Sequence, residues 1–342
     1  MPSDRRHPSA LAVFATLSVA LAAAMAAGLA FGAVRVPLAD IAAAIGRALH
    51  GGNAGLVDTL VVQVRLPRVI LAALVGAALA GAGTLYQALF RNPLADPYIL
   101  GVSSGAGLGA MIALVLTASV TAARYGAVPV AAFLGALLTM VVVVRLAGSR
   151  GRLDATSLLL AGVAISYTLA ALTSFVMVMA RQQMAAIVYW MMGGLSAASW
   201  GYVAMIAPMF ALGIAVPLLS TRELNLMLLG DERAGHLGLP VERFKVLMLA
   251  TAALLTAAAV AVAGLIGFVG LMTPHMVRLV VGPDHRRLLP ASLLAGATVL
   301  VLADLIARVV LRPVEIPVGI VTALLGGPFF VWLLVRERGG VR

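Results

Sequence analysis

Ten stretches of roughly 20 mostly apolar residues, separated by short polar or Pro/Gly-marked joints, constrain this chain more than any other feature. They lie at about 10–34, 66–86, 94–116, 126–147, 157–180, 202–219, 244–264, 267–282, 290–311 and 317–335. Of the 342 residues, 62% are hydrophobic and 11% charged. Soluble domains carry about 45–50% apolar residues and about a quarter charged, so these runs need lipid as their solvent. The expected fold is all-α: one polytopic membrane domain over 1–342 with about ten transmembrane helices. An even number of spans puts both termini on one side. The eighth stretch is short and holds Pro274, which predicts a tilt or kink. The tight joint at 264–267 predicts that the seventh and eighth spans are antiparallel neighbours.

The formal net charge is +11, and 23 of the 24 basic residues are Arg, Lys245 being the only Lys. They stand singly or in pairs between apolar runs, so they read as topology signals and not as a nucleic-acid surface. Fifteen fall in the N-terminus, 87–93, 145–156, 220–245, 283–289 and the C-terminus, against seven in the alternate joints and at Arg68. The richer set is therefore expected in the cytoplasm, with both termini. With one Lys outside any G-x-x-x-x-G-K-[ST] pattern, the chain has no phosphate loop, and any ATP must be bound by a partner. The absence of Cys excludes disulfides, thiolate nucleophiles and Cys-ligated metals. Arg5-Arg6-His7 before an apolar run imitates a secretory signal, yet the run from Leu11 to Val34 exceeds the roughly 7–15 residues of such a core and predicts a retained helix. Small residues in the second span, Gly76, Ala80 and Gly83, predict close helix packing.

Three segments are not plain spans. Arg91-Asn92-Pro93-Leu94-Ala95-Asp96-Pro97 brackets a charged turn with two prolines and leads into the small, hydroxyl-rich start Gly101–Gly107 of the third span. The joint 221–240 carries Leu224, Met227 and Leu228 at helical spacing, a break at Gly230, and Asp231-Glu232 suited to a helix N-terminus. Two short amphipathic helices there would form a docking surface on the cytoplasmic face. On the outer side, 186–200 is apolar but too short to cross, and Tyr189, Trp190, Trp200 and Tyr202 suit the interface belt. Met177, Met179, Met184, Met191 and Met192 gather nearby, either as packing residues or as an adaptable apolar surface.

Charges inside spans need partners. Asp304 and Arg308 stand i,i+4 on the ninth span, and Arg308 with Arg65 and Arg68 would form a basic rim at the outer end. His275 beside Pro274 is the one imidazole expected in the membrane and reads as a packing residue. The other histidines are far apart, so metal-ligand spacing is absent, as are a nucleophile–base pair and an intramembrane ladder of acids. Composition and spacing thus disfavour an intramembrane enzyme and an ion-coupled secondary transporter, which would want inverted repeats and charged midplane sites.

Six segments in order, RNPLADPYILGVSSGAG (91–107), LLLAGVAIS (158–166), YWMMGG (189–194), LGDERAGHLGLP (229–240), GLIGFVGLMTPHMVRLVVGPDHR (264–286) and the stretch 302–334, resemble the permeases of type II ABC importers. That family takes up iron-siderophores, heme and cobalamin. The resemblance runs from about residue 60 to the end, the first helix fitting by position. It implies a fold like the vitamin B12 importer permease, in the bacterial inner membrane, pairing with a second copy of itself around a central pathway. It further implies two ATP-binding cassette ATPase subunits, which hold ATP-Mg while this chain binds no cofactor, and one periplasmic substrate-binding protein. By the same resemblance, 221–240 holds the coupling helices, with Leu229, Gly230, Asp231, Ala234, Leu237 and Gly238 as ATPase contacts. Arg65, Arg68 and Arg308 match positions that meet glutamates of the binding protein. Asn92, Leu94, Ala155 and Thr156 match the cytoplasmic gate, although Ala155 replaces one of the adjacent hydroxyl residues that relatives often carry. Small, apolar and hydroxyl side chains on the pathway spans, three, five and ten, with the Met-rich outer mouth, lean the cargo toward an iron complex, heme foremost, over a ferric siderophore or cobalamin.

Overall fold

An apolar chain in lipid must satisfy its backbone internally, and this one does so almost entirely with α-helices. The computed structural model describes residues 9–52, 55–117, 121–149 and 152–339. In chain order the helices are α1 Ala10–Ala30, α2 Leu38–Leu49, α3 Leu56–Leu89, α4 Val102–Leu116, α5 Thr121–Ala147, α6 Ala155–Met179, α7 Met184–Met191, α8 Trp200–Leu219, α9 Thr221–Met227, α10 Asp231–His236, α11 Val241–Ala263, α12 Val269–Val281, α13 His285–Val309 and α14 Val318–Gly339. Gly148–Ser149 (β1) and Arg152–Leu153 (β2) form a two-residue antiparallel pair between α5 and α6. Among the described residues seven helices are long and apolar enough to cross a membrane, and the shorter apolar α4, α12 and α14 stand where spans three, eight and ten are expected. The protein is an all-α polytopic membrane protein.

The centre of the bundle is α3 and α11, the most completely buried of the long helices. Small residues on α3 make this possible. A Cβ on Gly76 would stand 2.2 Å from the Gly296 carbonyl oxygen of α13, and one on Gly83 would stand 1.7 Å from that of Gly270 on α12. The backbones meet directly, as the small-residue pattern indicates. α1 forms a second, smaller cluster with α12 and α13, packing Val13, Phe14 and Leu17 on Val277, Val281, Leu288 and Ala291.

Within α3 the stretch Leu60–Arg65 is π-helical, the Leu66 N–H reaching the Val61 carbonyl. Pro67 is the reason: in an α-helix its ring would clash with the carbonyl four residues back, and the wider turn removes the conflict.

The outer joint 35–65 holds the amphipathic α2, which buries Ile41 and Ala44 and pairs Arg47 with Asp58 at 2.6 Å. Two expectations change. Span three begins at Val102 and not near 94, because two Asx turns, Leu94 N–H to Asn92 Oδ1 (2.9 Å) and Tyr98 N–H to Asp96 Oδ1 (2.7 Å), hold the proline-bracketed segment out of the helix. The expected hairpin of spans seven and eight is also corrected. Non-helical Gly264–Phe268 carries the chain back into the bundle, so that α12 starts beside Gly83 and packs on α3 and α13. Such backbone survives in a membrane protein only when buried and paired. Tyr98 provides the pairing: its hydroxyl donates to the Ile266 carbonyl (2.9 Å) and accepts from the Ile266 N–H (3.1 Å).

Candidate coupling and docking sites

The inner end, so named from the arginine distribution, carries the 221–240 joint. It folds as the two short helices its Leu spacing indicates, α9 and α10, broken at Gly230, where φ is +98° and ψ 155°. Only glycine adopts that conformation without strain. Leu224, Met227 and Ala234 face inward and are buried, while Leu228, Leu229 and Leu237 stand 40%, 50% and 60% exposed. An apolar face open at the inner end of the bundle, with Glu232 and Arg233 beside it, has the make-up of a docking surface. Of the six expected contacts, Leu229, Leu237 and Gly238 are on this open side, Gly230 and Asp231 are half-buried, and Ala234 packs inward.

Two anchors fix the segment. On α9, Asn225 donates to Asp284 Oδ1 (2.6 Å), and its own Oδ1 accepts the His285 N–H (2.8 Å) at the start of α13. Burial raises the Asp284 carboxyl, but the Asn225 amide, the Arg286 N–H and the charges of Arg286 and Arg287 outweigh it and hold the group below the usual carboxylate range. On α10, Asp231 accepts a hydrogen bond from the Lys245 ammonium and lies 3.6 Å from Arg91 Nη2. Lys245 Nζ also donates to the Leu153 carbonyl (3.0 Å), and the Leu153 N–H donates to Glu242 Oε2 (2.7 Å). Arg91, Leu153, Ala155, Asp231, Lys245 and Leu249 line one small cavity here.

The structure thus brings the turn after α3, the joint before α6 and the 221–240 joint to one place. Asn92, Leu94 and Thr156 are exposed, and Ala155 is half-buried. Asp154 caps α6 by accepting the Ser157 N–H at 3.0 Å. From Ala155 to Met179, α6 holds no charged residue, and most of it is exposed, including Leu160, Val163, Tyr167 and Phe175. In a membrane protein such a face is left for lipid, for a second chain or for a pathway.

At the outer end Arg65, Arg68 and Arg308 do come together, but not as an exposed rim: they are 5%, 9% and 7% exposed. Arg308 pairs with Asp304 at 2.9 Å, the i,i+4 pair read from the sequence. Arg68 bridges Asp304 (2.9 Å) and Glu315 (2.9 Å). Arg65 donates to the carbonyls of Leu29 (2.6 Å), Ala30 and Val34, and Arg308 to those of Gly28 (3.2 Å) and Phe31 (3.3 Å). The last turn of a helix carries unpaired carbonyls and the negative end of its dipole. Two guanidiniums at the end of α1 answer both, which explains why the charges turn inward. Around this cluster, α7 places Tyr189, whose hydroxyl donates to the Glu315 carbonyl (3.2 Å), and Trp200 donates to the Val62 carbonyl (2.9 Å). Met179, Met184 and Met192 are exposed nearby in sequence, and His275 sits edge-on to Phe329 at 6.1 Å as a packing residue.

Sequence reading missed Glu315, the Asn225 clamp, the Tyr98–Ile266 pair and the role of Lys245. Only Lys245 carried a signal, as the one Lys, set near the start of an apolar span.

The FecCD transport family matches residues 20–336. The chain is 49% identical over 281 residues to the cobalamin import system permease protein of Halobacterium salinarum, covering 82% of this chain and 74% of that one. It is 44% identical over 280 residues to the hemin transport system permease protein of Yersinia pestis, covering 81% and 83%. A solved structure described as an inward-facing conformation of a metal-chelate type ABC transporter superposes with a TM-score of 0.81 at 30% identity, covering 95% of this chain and 98% of that one.

Proposed function

The chain belongs to the FecCD transport family, and on that premise we propose that it forms, with a second copy, the membrane pathway of an ATP-driven importer that carries an iron complex, heme foremost, into the cytoplasm. As a multi-pass permease of this family it is a transport subunit and not an enzyme. Its coarse class is that of type II ABC importer permeases for iron chelates, heme or cobalamin.

The observation that carries the reading is the coupling segment: an open apolar face on α9 and α10, anchored through Asp231 to the joint that starts α6. ATP binding in two partner ATPases, seated on Leu229, Gly230, Asp231, Leu237 and Gly238, would move this segment and with it the gate at Asn92, Leu94, Ala155 and Thr156. The arginine distribution supports cytoplasmic termini and inner-membrane placement. The exposed faces of α6 and α14 supply the surface for the second copy.

A periplasmic binding protein would dock at the outer end. With Arg65, Arg68 and Arg308 buried, their part is to hold the ends of α1, α3 and α13 in place, and the exposed Arg35 and Arg312 are the cations its glutamates meet. For the cargo, the support is the uncharged α6 face with its Tyr167, Thr168 and Ser174 hydroxyls, together with the exposed Met and aromatic residues near α7. A large, partly apolar chelate suits that lining better than a highly charged one.

The test is uptake by proteoliposomes holding this chain, its co-expressed ATPase and its binding protein, offered heme, a ferric siderophore and cobalamin in parallel. ATP-dependent accumulation of heme is the expected result. Accumulation of either other ligand instead would replace the cargo and keep the importer.

A further inference from the structure

Lys245 is the only lysine in the chain, and its side chain is 9% exposed at the inner end of α11. A charge in such a place is retained only when it is paired and hydrogen-bonded. Its three neighbours belong to three different parts of the machinery. Asp231 is the first residue of α10, Leu153 is the end of β2 two residues before α6, and Glu242 lies one turn back on α11 itself. Glu242 in turn takes the Leu153 N–H, so both backbone groups of Leu153 are held by side chains of α11. Arg91, at the end of the turn after α3, approaches Asp231 from the other side.

We propose that Lys245 is the positioning residue that links the coupling segment to the gate: its ammonium holds Asp231 of α10 and the Leu153 carbonyl together, so that a displacement of α10 is delivered to the start of α6. The inference rests on the importer reading above. The physical reason is directional. Apolar side chains slide past one another at little cost, whereas a buried ion pair with a second hydrogen bond on the same nitrogen tolerates little slippage. With Leu153 pinned from both sides and Asp154 capping α6, a pull on Lys245 cannot be absorbed in the joint before it reaches Ala155 and Thr156.

The experiment uses the complete reconstituted importer, comparing Lys245→Met and Lys245→Arg with the unaltered chain. Three quantities are read: ATPase association, ATP hydrolysis, and cargo transported per ATP, with spin labels at Thr156 of both copies reporting gate separation. Lys245→Met is expected to retain association and hydrolysis while transport per ATP falls about tenfold or more, within the range that coupling between two sites takes. The label distance should cease to respond to ATP. Lys245→Arg, which keeps charge and donors, should recover much of both. Should Lys245→Met not accumulate in folded form, Lys245→Gln keeps a donor near Leu153, drops the charge and is read the same way. Unchanged transport per ATP and an unchanged gate response in the uncharged variant would overturn the proposal. So would loss of association and hydrolysis together in a folded variant. If the unaltered chain itself shows no ATP-dependent transport, it is the importer reading that fails.

Discussion

Replacing Gly230 by Trp is expected to bring uptake down to the level of empty liposomes while the protein still inserts, folds and is extracted at normal yield. Gly230 joins α9 to α10 at φ +98° and ψ 155°, a region that any other residue enters at about 1–3 kcal/mol. Even a Cβ would stand 2.8 Å from Arg91 Nη1. A Trp there would turn α10, separate Asp231 from Arg91 and Lys245, and disrupt the open face formed by Leu229 and Leu237. The transmembrane core is not touched, because α9 and α10 lie outside the spans. Uptake is measured in vesicles alongside yield and thermal stability in detergent. Normal uptake would remove the coupling role from this segment.

Asp304→Ala should have the opposite profile, a large loss of stability. Asp304 is 1% exposed and is the shared anion of Arg68 and Arg308. Without it, two guanidiniums remain buried close together with Glu315 and backbone carbonyls as their remaining partners. Removing one partner from a buried ion pair costs about 3–5 kcal/mol. Because Arg308 also binds the end of α1, that helix should loosen first, which proteolysis of the detergent-solubilised protein would detect together with a lower unfolding midpoint. A midpoint equal to that of the unaltered chain would contradict the assigned role of this cluster.

The contrast between the two ends indicates what a sequence can reveal. Lipid demands apolar runs of a set length, so the spans were legible, as were the small residues of α3 whose closeness to α12 and α13 follows from lacking side chains. The Asp304–Arg308 pair was legible because a helix places i and i+4 together. The inward turn of Arg65 was not, since its acceptors are carbonyls at the end of α1 and just beyond it, and carbonyls leave no mark in the sequence. Glu315 reaches Arg68 across 247 positions, beyond any periodic signal. The non-helical stretch before α12 is held by Tyr98 meeting Ile266, a contact made only once the bundle has formed. At the inner end, two short helices were legible from Leu spacing and the acids after Gly230, whereas their attachment to Leu153 through Lys245 required the fold.

On this reading the energy for transport comes from ATP hydrolysed by partner subunits. Proteoliposomes with the assembled importer are loaded with either ATP or ADP, and ion gradients are imposed or collapsed with ionophores while cargo accumulation is followed. Accumulation that requires internal ATP and is indifferent to the ionophores is the predicted result. Accumulation that proceeds without ATP and stops when a proton or sodium gradient is collapsed would contradict it and make the chain an ion-coupled transporter.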